Sequence, residues 1–293
     1  MPVEPEHPYT IVDVFTSAPL AGNQLAVFTE GESVPSRLML PAARELHLSD
    51  TVFLLPGDDE ADAAIRIFTT FHELPFAGHA VLGSAFVVAE QKNLATVRLR
   101  TTGAGVIPVT LTRERGELVS GEMEHAPPTV RAFQREQELL DALGASRPVL
   151  PIEIYSNGPL HVMVGLADPE QVAALEPDMA ALAALGPIGI GCFAPLDPQA
   201  GPGEHTRVKL RLFGPGAGIS EDPATGSAAG PLALHLARHG WYTPGRTLTI
   251  TQGDEIRRPS VLAARLEGSA ESPSTIIVGG RAVVVARGQF RLQ

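Results

Sequence analysis

One order of elements occurs twice in the chain, and this repeat constrains the fold more than any other feature of the sequence. Each half reads strand, turn, strand, helix, a strand with an Arg-apolar-Phe core, a short Pro-x-x-Gly loop and a helix almost free of charge. The two uncharged helices are "GHAVLGSAFVVAEQ" and "GSAAGPLALHLARHG". A helix that is apolar on all sides belongs inside a core. The repeat predicts an α+β fold of two similar domains, each a curled, mostly antiparallel β-sheet or barrel around a central buried helix.

The domain boundaries follow from where the repeat restarts. Residues 1–124 form the predicted N-terminal half, which a C-terminal strand at about 281–293 completes, and residues 125–280 form the C-terminal half. We expect the active site in the cleft between them. The closing segments "RTLTITQGDEI", "SVLAARLEG", "STIIVGG" and "AVVVARGQF" are predicted as four strands of a meander.

Composition excludes several classes of function. The chain of 293 residues has a formal net charge of −11 and no run of lysines or arginines, which argues against nucleic acid or an anionic membrane as a partner. No apolar stretch is long enough to span a membrane, and the N-terminus lacks signal-peptide features, so a cytoplasmic location is expected. The single cysteine, Cys192, excludes an intramolecular disulfide and multi-cysteine metal sites.

Two loops match between the halves. Pro75–His79 corresponds to Pro223–Ser227, and each loop leads into an uncharged helix. The glycine before His79 or Ser227 allows close backbone approach, and the helix start offers free N–H groups to an anion. Two such helix starts would hold a small carboxylate without any net positive charge. The alternative is ordinary N-capping, in which Ser and Asp serve as common caps.

The remaining histidines and acids receive more modest interpretations. His235 and His239 are spaced i, i+4 and could ligate a metal, but the sequence shows no third ligand, so a polar helix face ending at Gly240 and no metal site are predicted. Glu45 is predicted to be a surface charge and Glu221 to be structural. Four further histidines match no motif and are assigned no role: His72, His125, His161 and His205.

Several strings together resemble one protein family over about residues 10 to 260. These strings are "DVFTSAPLAGNQLAVF", "LHLSDTVFLLP", "RIFTTFHELPFAGHAVLG", "YSNGPLHVMVGL", "EDPATGSAAGPLALHLARH" and "TQGDEIRRPS". They resemble the PhzF family of phenazine-biosynthesis-like isomerases, which are related in fold to diaminopimelate epimerase. The resemblance implies a homodimeric enzyme that works by acid/base chemistry with no cofactor. Its expected reaction moves a proton between carbons of a small anionic, cyclic, amino-acid-like substrate, trans-2,3-dihydro-3-hydroxyanthranilate in phenazine biosynthesis.

The resemblance also implies site residues. The proton carrier falls on Asp50, where the family pattern S-E-T/S-x-F has Glu, and His79 and Asp222 fall on the other catalytic positions. The expected substrate-binding residues are Ser49, Gly78, Gly226, Ser227 and Asn23. A carboxylate in a dry cleft suits this chemistry because burial raises its pKa. The shorter Asp50 side chain withdraws the carboxylate by about 1 Å, a displacement that can cost roughly a hundredfold in rate.

Three alternatives stay open. An amino-acid racemase or epimerase needs two opposed bases, and the single Cys192 cannot supply the two cysteines that diaminopimelate epimerase uses. A PhzF-like isomerase could act on a dihydropyrrole precursor in another antibiotic pathway. A catalytically silent binding protein would keep the cleft without effective base chemistry at Asp50.

Overall fold

The computed structural model describes residues 6–145, 147–197 and 199–292. These residues form two compact units. Unit 1 comprises Met1–Glu124 with Gly279–Gln293, and unit 2 comprises His125–Val278. No helix in the described ranges has the length and hydropathy needed to cross a membrane.

Strands dominate both units. In chain order they are β1 Glu6–Val14, β2 Asn23–Phe28, β3 Asp50–Pro56, β4 Ala63–Phe68, β5 Glu73–Leu74, β6 Thr96–Thr101, β7 Gly105–Glu114, β8 Glu117–His125, β9 Thr129–Ala132, β10 Glu153–Ser156, β11 Leu160–Gly165, β12 Gly189–Pro195, β13 Arg207–Gly214, β14 Ile219–Asp222, β15 Leu248–Gln252, β16 Ser260–Gly268 and β17 Pro273–Arg291. The α-helices are α1 Ser36–Leu46, α2 Gly78–Lys92, α3 Glu136–Leu143, α4 Pro169–Ala173, α5 Met179–Ala183 and α6 Gly226–Arg238. Single 3-10 turns lie at Gly31–Ser33 and Pro215–Ala217.

The strands of unit 1 close into a barrel. β1 pairs antiparallel with β2, β2 runs parallel to β3, β3 pairs antiparallel with β4, and β4 runs parallel to β6. The β6–β7–β8 meander continues the sheet, β8 pairs with β17, and β17 returns antiparallel to β1 from Glu6↔Arg291 to Val14↔Ala282. The short β5 adds to β4. Closure leaves no free edge among the barrel strands.

Unit 2 repeats this pairing pattern. β10 and β11 are antiparallel, β11 and β12 parallel, β12 and β13 antiparallel, β13 and β15 parallel, and β15 and β16 antiparallel, while the short β14 adds to β13. β9 pairs with β10 on its other side. The predicted architecture of two similar curled sheets is confirmed.

Each sheet surrounds one uncharged helix, as the sequence predicts. Every residue of α2 from Gly78 to Ala89 is buried, and so is every residue of α6 from Gly226 to Ala237. α2 packs on β1, β2, β3, β6 and β7, and α6 packs on β10, β11 and β16. Both helices thus form the centre of a core.

The last part of the sheet differs from the prediction. The segments "STIIVGG" and "AVVVARGQF" form one strand of 19 residues, β17, instead of two. Gly279 lies within this strand, and a Cβ atom there would lie 2.6 Å from the carbonyl oxygen of Gly121 in β8. The glycine permits close approach of two strands, so it does not mark a turn.

Candidate active site

The first turn of α2 begins without a side-chain cap. Ala77 stands at the N-cap in extended backbone, and its methyl side chain makes no capping hydrogen bond. The first helical bond is donated by the Val81 N–H to the Ala77 carbonyl oxygen at 3.0 Å. The N–H groups of Gly78, His79 and Ala80 precede that bond and lack a partner within the helix. Ala77 therefore does not supply the side-chain cap that Ser or Asp provides at an ordinary N-cap.

Asp50 and His79 lie side by side in unit 1, and we call this pair the acid cluster. Asp50 begins β3, where it is 3% exposed, and His79 is the second residue of α2 and 8% exposed. The His79 Nε2 atom lies 3.3 Å from the Asp50 Oδ2 atom. Burial lowers the pKa of His79 to about 4, so the ring is neutral at neutral pH. The pair is a carboxyl group beside a neutral imidazole, which can support proton transfer.

Two further residues of the predicted site lie near the start of β3. Ser49 precedes the strand and is half-buried. Asn23 begins β2, is fully buried and stands opposite Val14 of β1. Since Leu25 stands opposite Asp50 in the parallel β2–β3 pair, Asn23 shares the face of Leu25 two positions earlier. Sequence positions far apart thus come to one end of the sheet.

The corresponding loop of unit 2 fixes Asp222 through a hydrogen-bond network. The Thr225 hydroxyl donates a short hydrogen bond to Asp222 Oδ2. The amide of Gln252 donates from Nε2 to the Asp222 carbonyl oxygen at 2.7 Å and to Thr225 Oγ1 at 3.0 Å. The Thr225 N–H donates to Gln252 Oε1 at 3.1 Å. Gln252 is 1% exposed, so this network holds the loop before α6 in one geometry.

Ser227 forms a second group with residues of β11 and the turn before it. The His161 Nε2 atom lies 3.0 Å from Ser227 Oγ, and Asn157 Nδ2 donates to the Ser227 carbonyl oxygen at 2.9 Å. His161 is 4% exposed, and burial lowers its pKa to about 4. The Thr225 side chain makes no capping hydrogen bond to α6. We call Asp222, Thr225, Gln252, Ser227 and His161 the hydroxyl cluster.

The sequence profile of the PhzC-PhzF family, described as phenazine biosynthesis-like protein, matches residues 12–288. The chain belongs to the PhzC-PhzF family. A curated relative from Pseudomonas fluorescens, trans-2,3-dihydro-3-hydroxyanthranilate isomerase, is 44% identical over 98% of this chain and 100% of its own length. The isomerase of the same name from Pseudomonas aeruginosa is 43% identical over the same shares of the two chains.

Solved structures agree with this family membership. The crystal structure of a PhzF family protein from Enterococcus faecalis has a TM-score of 0.76 at 27% identity and covers 98% of this chain and 100% of that one. A hydroxyproline epimerase from Agrobacterium vitis, with a TM-score of 0.64 at 17% identity, covers 98% of this chain and 93% of that one. The PhzC-PhzF protein thus shares its fold with that epimerase.

Sequence reasoning missed three members of the hydroxyl cluster in this PhzC-PhzF protein: His161, Thr225 and Gln252. Thr225 and Gln252 lie 27 residues apart in sequence and meet only because β15 runs beside β13. A signal for His161 was present, because a histidine interrupts the otherwise apolar run of β11. The equivalent place in β2 is the apolar Leu25.

The expectations for α6 need correction. His235 is completely buried and does not lie on a polar face, and Glu153 of β10 supplies the third ligand-type group that the sequence did not show. Glu153 Oε2 lies 3.2 Å from His235 Nδ1 and 3.0 Å from His239 Nε2. Tyr155 donates to the same oxygen at 2.7 Å, and Arg238 lies 3.3 Å from the other oxygen. These partners, His235 foremost, hold the pKa of Glu153 far below its usual range.

The two other acids of the sequence analysis lie outside the clusters of the PhzC-PhzF protein. Glu45 is exposed on α1. Glu221 forms a two-point ion pair with Arg211, in which Nη2 and Oε2 are 2.8 Å apart and both side chains are 8% exposed. Its oxygens are already committed to Arg211.

Proposed function

We propose that this PhzC-PhzF protein is an isomerase that moves a proton between ring carbons of trans-2,3-dihydro-3-hydroxyanthranilate, with Asp50 as the proton carrier. The observation that carries the proposal is the acid cluster, in which a buried carboxyl group lies 3.3 Å from a neutral imidazole. Two relatives named for this reaction are 43% and 44% identical to the chain over almost its whole length.

The proposed reaction needs one group that accepts a proton from carbon and returns it to another carbon. In our scheme Asp50 takes the proton as a carboxylate, the electron pair of the broken C–H bond moves into the substrate π-system, and Asp50 returns the proton at a second carbon. No atom is gained or lost. His79 stays neutral, and its Nε2 atom lies 3.3 Å from Asp50 Oδ2 beside the proton carrier.

The hydroxyl cluster would bind the polar groups of the same substrate. The start of α6, which the Thr225 side chain does not cap, and the Ser227 hydroxyl suit a carboxylate, since helix N-termini attract anions. Asp222 suits the amine, because an ionised carboxylate accepts hydrogen bonds from ammonium groups. We propose that the protein acts as a cytoplasmic homodimer, as the family resemblance implies.

One observation favours this isomerase over a racemase with two opposed bases. The strand registers make Gly189 the unit 2 counterpart of Asp50, since Gly189 stands opposite His161 as Asp50 stands opposite Leu25. Glycine has no side chain that could act as a second base.

The decisive test is proton exchange in deuterated water with trans-2,3-dihydro-3-hydroxyanthranilate. Wild-type protein is expected to give an isomerised product that carries deuterium on a ring carbon to the extent that the proton held by Asp50 exchanges with solvent before it is returned. Asp50→Asn is expected to reduce turnover at least about a hundredfold, because acid/base groups contribute roughly that much. Glu45→Gln neutralises an exposed acid five residues away and serves as the matched control with unchanged turnover.

Two results would contradict the proposal. Full isomerisation by Asp50→Asn would exclude Asp50 as the proton carrier. Tight binding of the substrate without exchange by the wild-type protein would instead indicate a catalytically silent binding protein.

A further inference from the structure

The two halves present different side chains to the second residue of their central helix. In unit 1 this residue is His79, and Asp50 contacts it from β3. In unit 2 the residue is Ser227, and His161 contacts it from β11. In the Leu25↔Asp50 pair the polar residue lies on the second of the two parallel strands, β3. In the equivalent His161↔Gly189 pair it lies on the first of them, β11.

Gly189 makes this arrangement possible. A Cβ atom at Gly189 would lie 2.6 Å from His161 Nδ1 and 3.2 Å from its Cε1 atom. The backbone of Gly189 is not in the left-handed region, so its conformation does not require glycine. The glycine is needed for space, because the imidazole ring occupies the volume that a side chain of β12 would fill.

The surroundings of the ring also select its tautomer. Nδ1 is buried without a hydrogen-bond partner among the described residues, whereas Nε2 faces Ser227 Oγ at 3.0 Å. A buried N–H group without a partner is rarer than a buried acceptor without one. The proton therefore belongs on Nε2, and Nδ1 keeps a bare lone pair.

This tautomer determines what Ser227 can do. When Nε2–H donates to Ser227 Oγ, the oxygen is used as an acceptor and the hydroxyl proton is left for another partner. We propose that His161 is a positioning residue that makes the Ser227 hydroxyl a hydrogen-bond donor to a carboxylate oxygen of the substrate. The identity of this carboxylate rests on the proposed function, whereas the tautomer of His161 does not.

Substrate binding tests the positioning role through two pairs of variants. His161→Phe keeps the ring volume without the donor and is expected to raise KM about tenfold to a hundredfold, the size of a hydrogen bond to a charged group. His161→Gln restores a donor near the place of Nε2 and is expected to bind within a few-fold of wild type. The effect is expected mainly in KM, since the proposed role of His161 acts through the Ser227 hydroxyl and not on the reacting carbons.

Gly189→Ala displaces the ring while leaving His161 and Ser227 chemically intact, and the same rise in KM is expected. Gly191→Ala is the matched control on the same strand, because its Cβ would meet the flexible Met163 Sδ at 3.2 Å. The control is expected to leave KM within about twofold. Equal KM values for His161→Phe and wild type, or for Gly189→Ala and Gly191→Ala, would contradict the positioning role.

A spectroscopic measurement separates this inference from the proposed function. Nitrogen-15 chemical shifts of the His161 ring in the ligand-free protein at pH 7 report which nitrogen carries the proton. We expect a protonated Nε2 and an unprotonated Nδ1, and the reverse assignment overturns the inference. If the wild-type protein shows the expected tautomer but does not isomerise the substrate, the proposed function fails alone. Titration of the variants with anthranilate, a non-reacting cyclic amino carboxylate, then replaces KM as the measure of binding.

Discussion

Arg66 and Arg211 occupy equivalent places in the two halves but differ in burial. Each is stacked over a phenylalanine two residues later, at 5.1 Å from the Phe68 ring and 4.9 Å from the Phe213 ring. The Arg66 ion pair with Glu73 is about one quarter to one third exposed, at 26% and 32%. The Arg211 side chain is 8% exposed and also donates from Nη1 to three backbone carbonyl oxygens, those of Val172, Ala173 and Leu175.

This difference predicts unequal stability losses. Arg211→Met removes one partner of a buried ion pair and is expected to lower the free energy of unfolding by about 3–5 kcal/mol. Arg66→Met is the matched control, and a loss of about 1 kcal/mol or less is expected because solvent screens the exposed pair. Urea unfolding monitored by circular dichroism measures both values. Similar losses for the two variants would show that burial does not determine how much these ion pairs contribute to the free energy of unfolding.

At the scale of single residues, the sequence predicts the place of a side chain best when the residue lies in a short string that also marks the start of a strand or helix. Asp50, His79 and Ser227 stand at the start of a strand or helix, so local pattern places them. His161 and Gln252 take part only through neighbouring strands, and no local pattern indicates their contacts. His161 becomes visible when the two halves are aligned by strand register.

The packing of a whole helix depends on one small residue in α2. A Cβ atom at Gly83 would lie 2.6 Å from Leu25 Cδ2 and 2.9 Å from Val14 Cγ2. Gly83→Ala is therefore expected to cost about 1–3 kcal/mol through overpacking, which outweighs the helix propensity gained. Thermal unfolding measures the loss.

Gly230→Ala in α6 is the control for this substitution. Its Cβ would meet Ile276 Cγ2 at 3.0 Å, a contact with a side chain that can shift by a few tenths of an ångström. We expect a change within about 1 kcal/mol of wild type, because gain in helix propensity offsets the tighter contact. If Gly83→Ala changed the free energy of unfolding as little as Gly230→Ala, the close packing of α2 on β1 and β2 would be unimportant for stability.

At the scale of elements, apolar pattern and turn residues predict the uncharged helices and the β6–β7–β8 meander well. The five-residue α4 is not predicted, because so short a helix depends on tertiary contacts and on its Asp168 cap. The pairing order is also beyond local pattern. The parallel pairs β2–β3 and β11–β12 join strands that are separated by helical connections.

The molecule as a whole should lose stability in mild acid because it buries neutral histidines. His79 and His161 have pKa values of about 4, below the ordinary 6.5, so the unfolded chain binds more protons between these values. Lowering the pH from 7 to 5 is expected to reduce the free energy of unfolding by roughly 3–4 kcal/mol from these two residues. The half-buried His125, whose pKa is lowered in the same way, adds to the loss.

Urea titrations at pH 7, 6 and 5 measure this loss, and His161→Gln provides the control. Because this variant lacks one of the two histidines, the loss in free energy of unfolding between pH 7 and 5 is expected to be smaller by about 2 kcal/mol. The pKa of Glu153 is held far below its usual range, so its contribution to stability is lost only as the pH falls through the ordinary glutamate value of 4.5, below this range. A free energy of unfolding that is constant between pH 7 and 5 would show that the buried rings are protonated without cost.

At the scale of the molecule, the repeat in the sequence predicts the duplicated architecture because each half must bury an uncharged helix inside a curled sheet. The repeat does not predict their differences. The counterpart of the Arg66–Glu73 pair is buried in unit 2, and the counterpart of Asp50 is a glycine. These differences arise from side chains that fill each core separately.

The pairing of β1 with β17 has a consequence for how the chain is made. Glu6 stands opposite Arg291, so the barrel of unit 1 needs strands whose paired residues lie 285 positions apart in the sequence. During synthesis the early strands must wait, with the edges of β1 and β8 open, until β17 leaves the ribosome. Unit 2 is continuous in sequence and has no such delay. Nascent unit 1 is thus the part of the protein that most needs protection by chaperones.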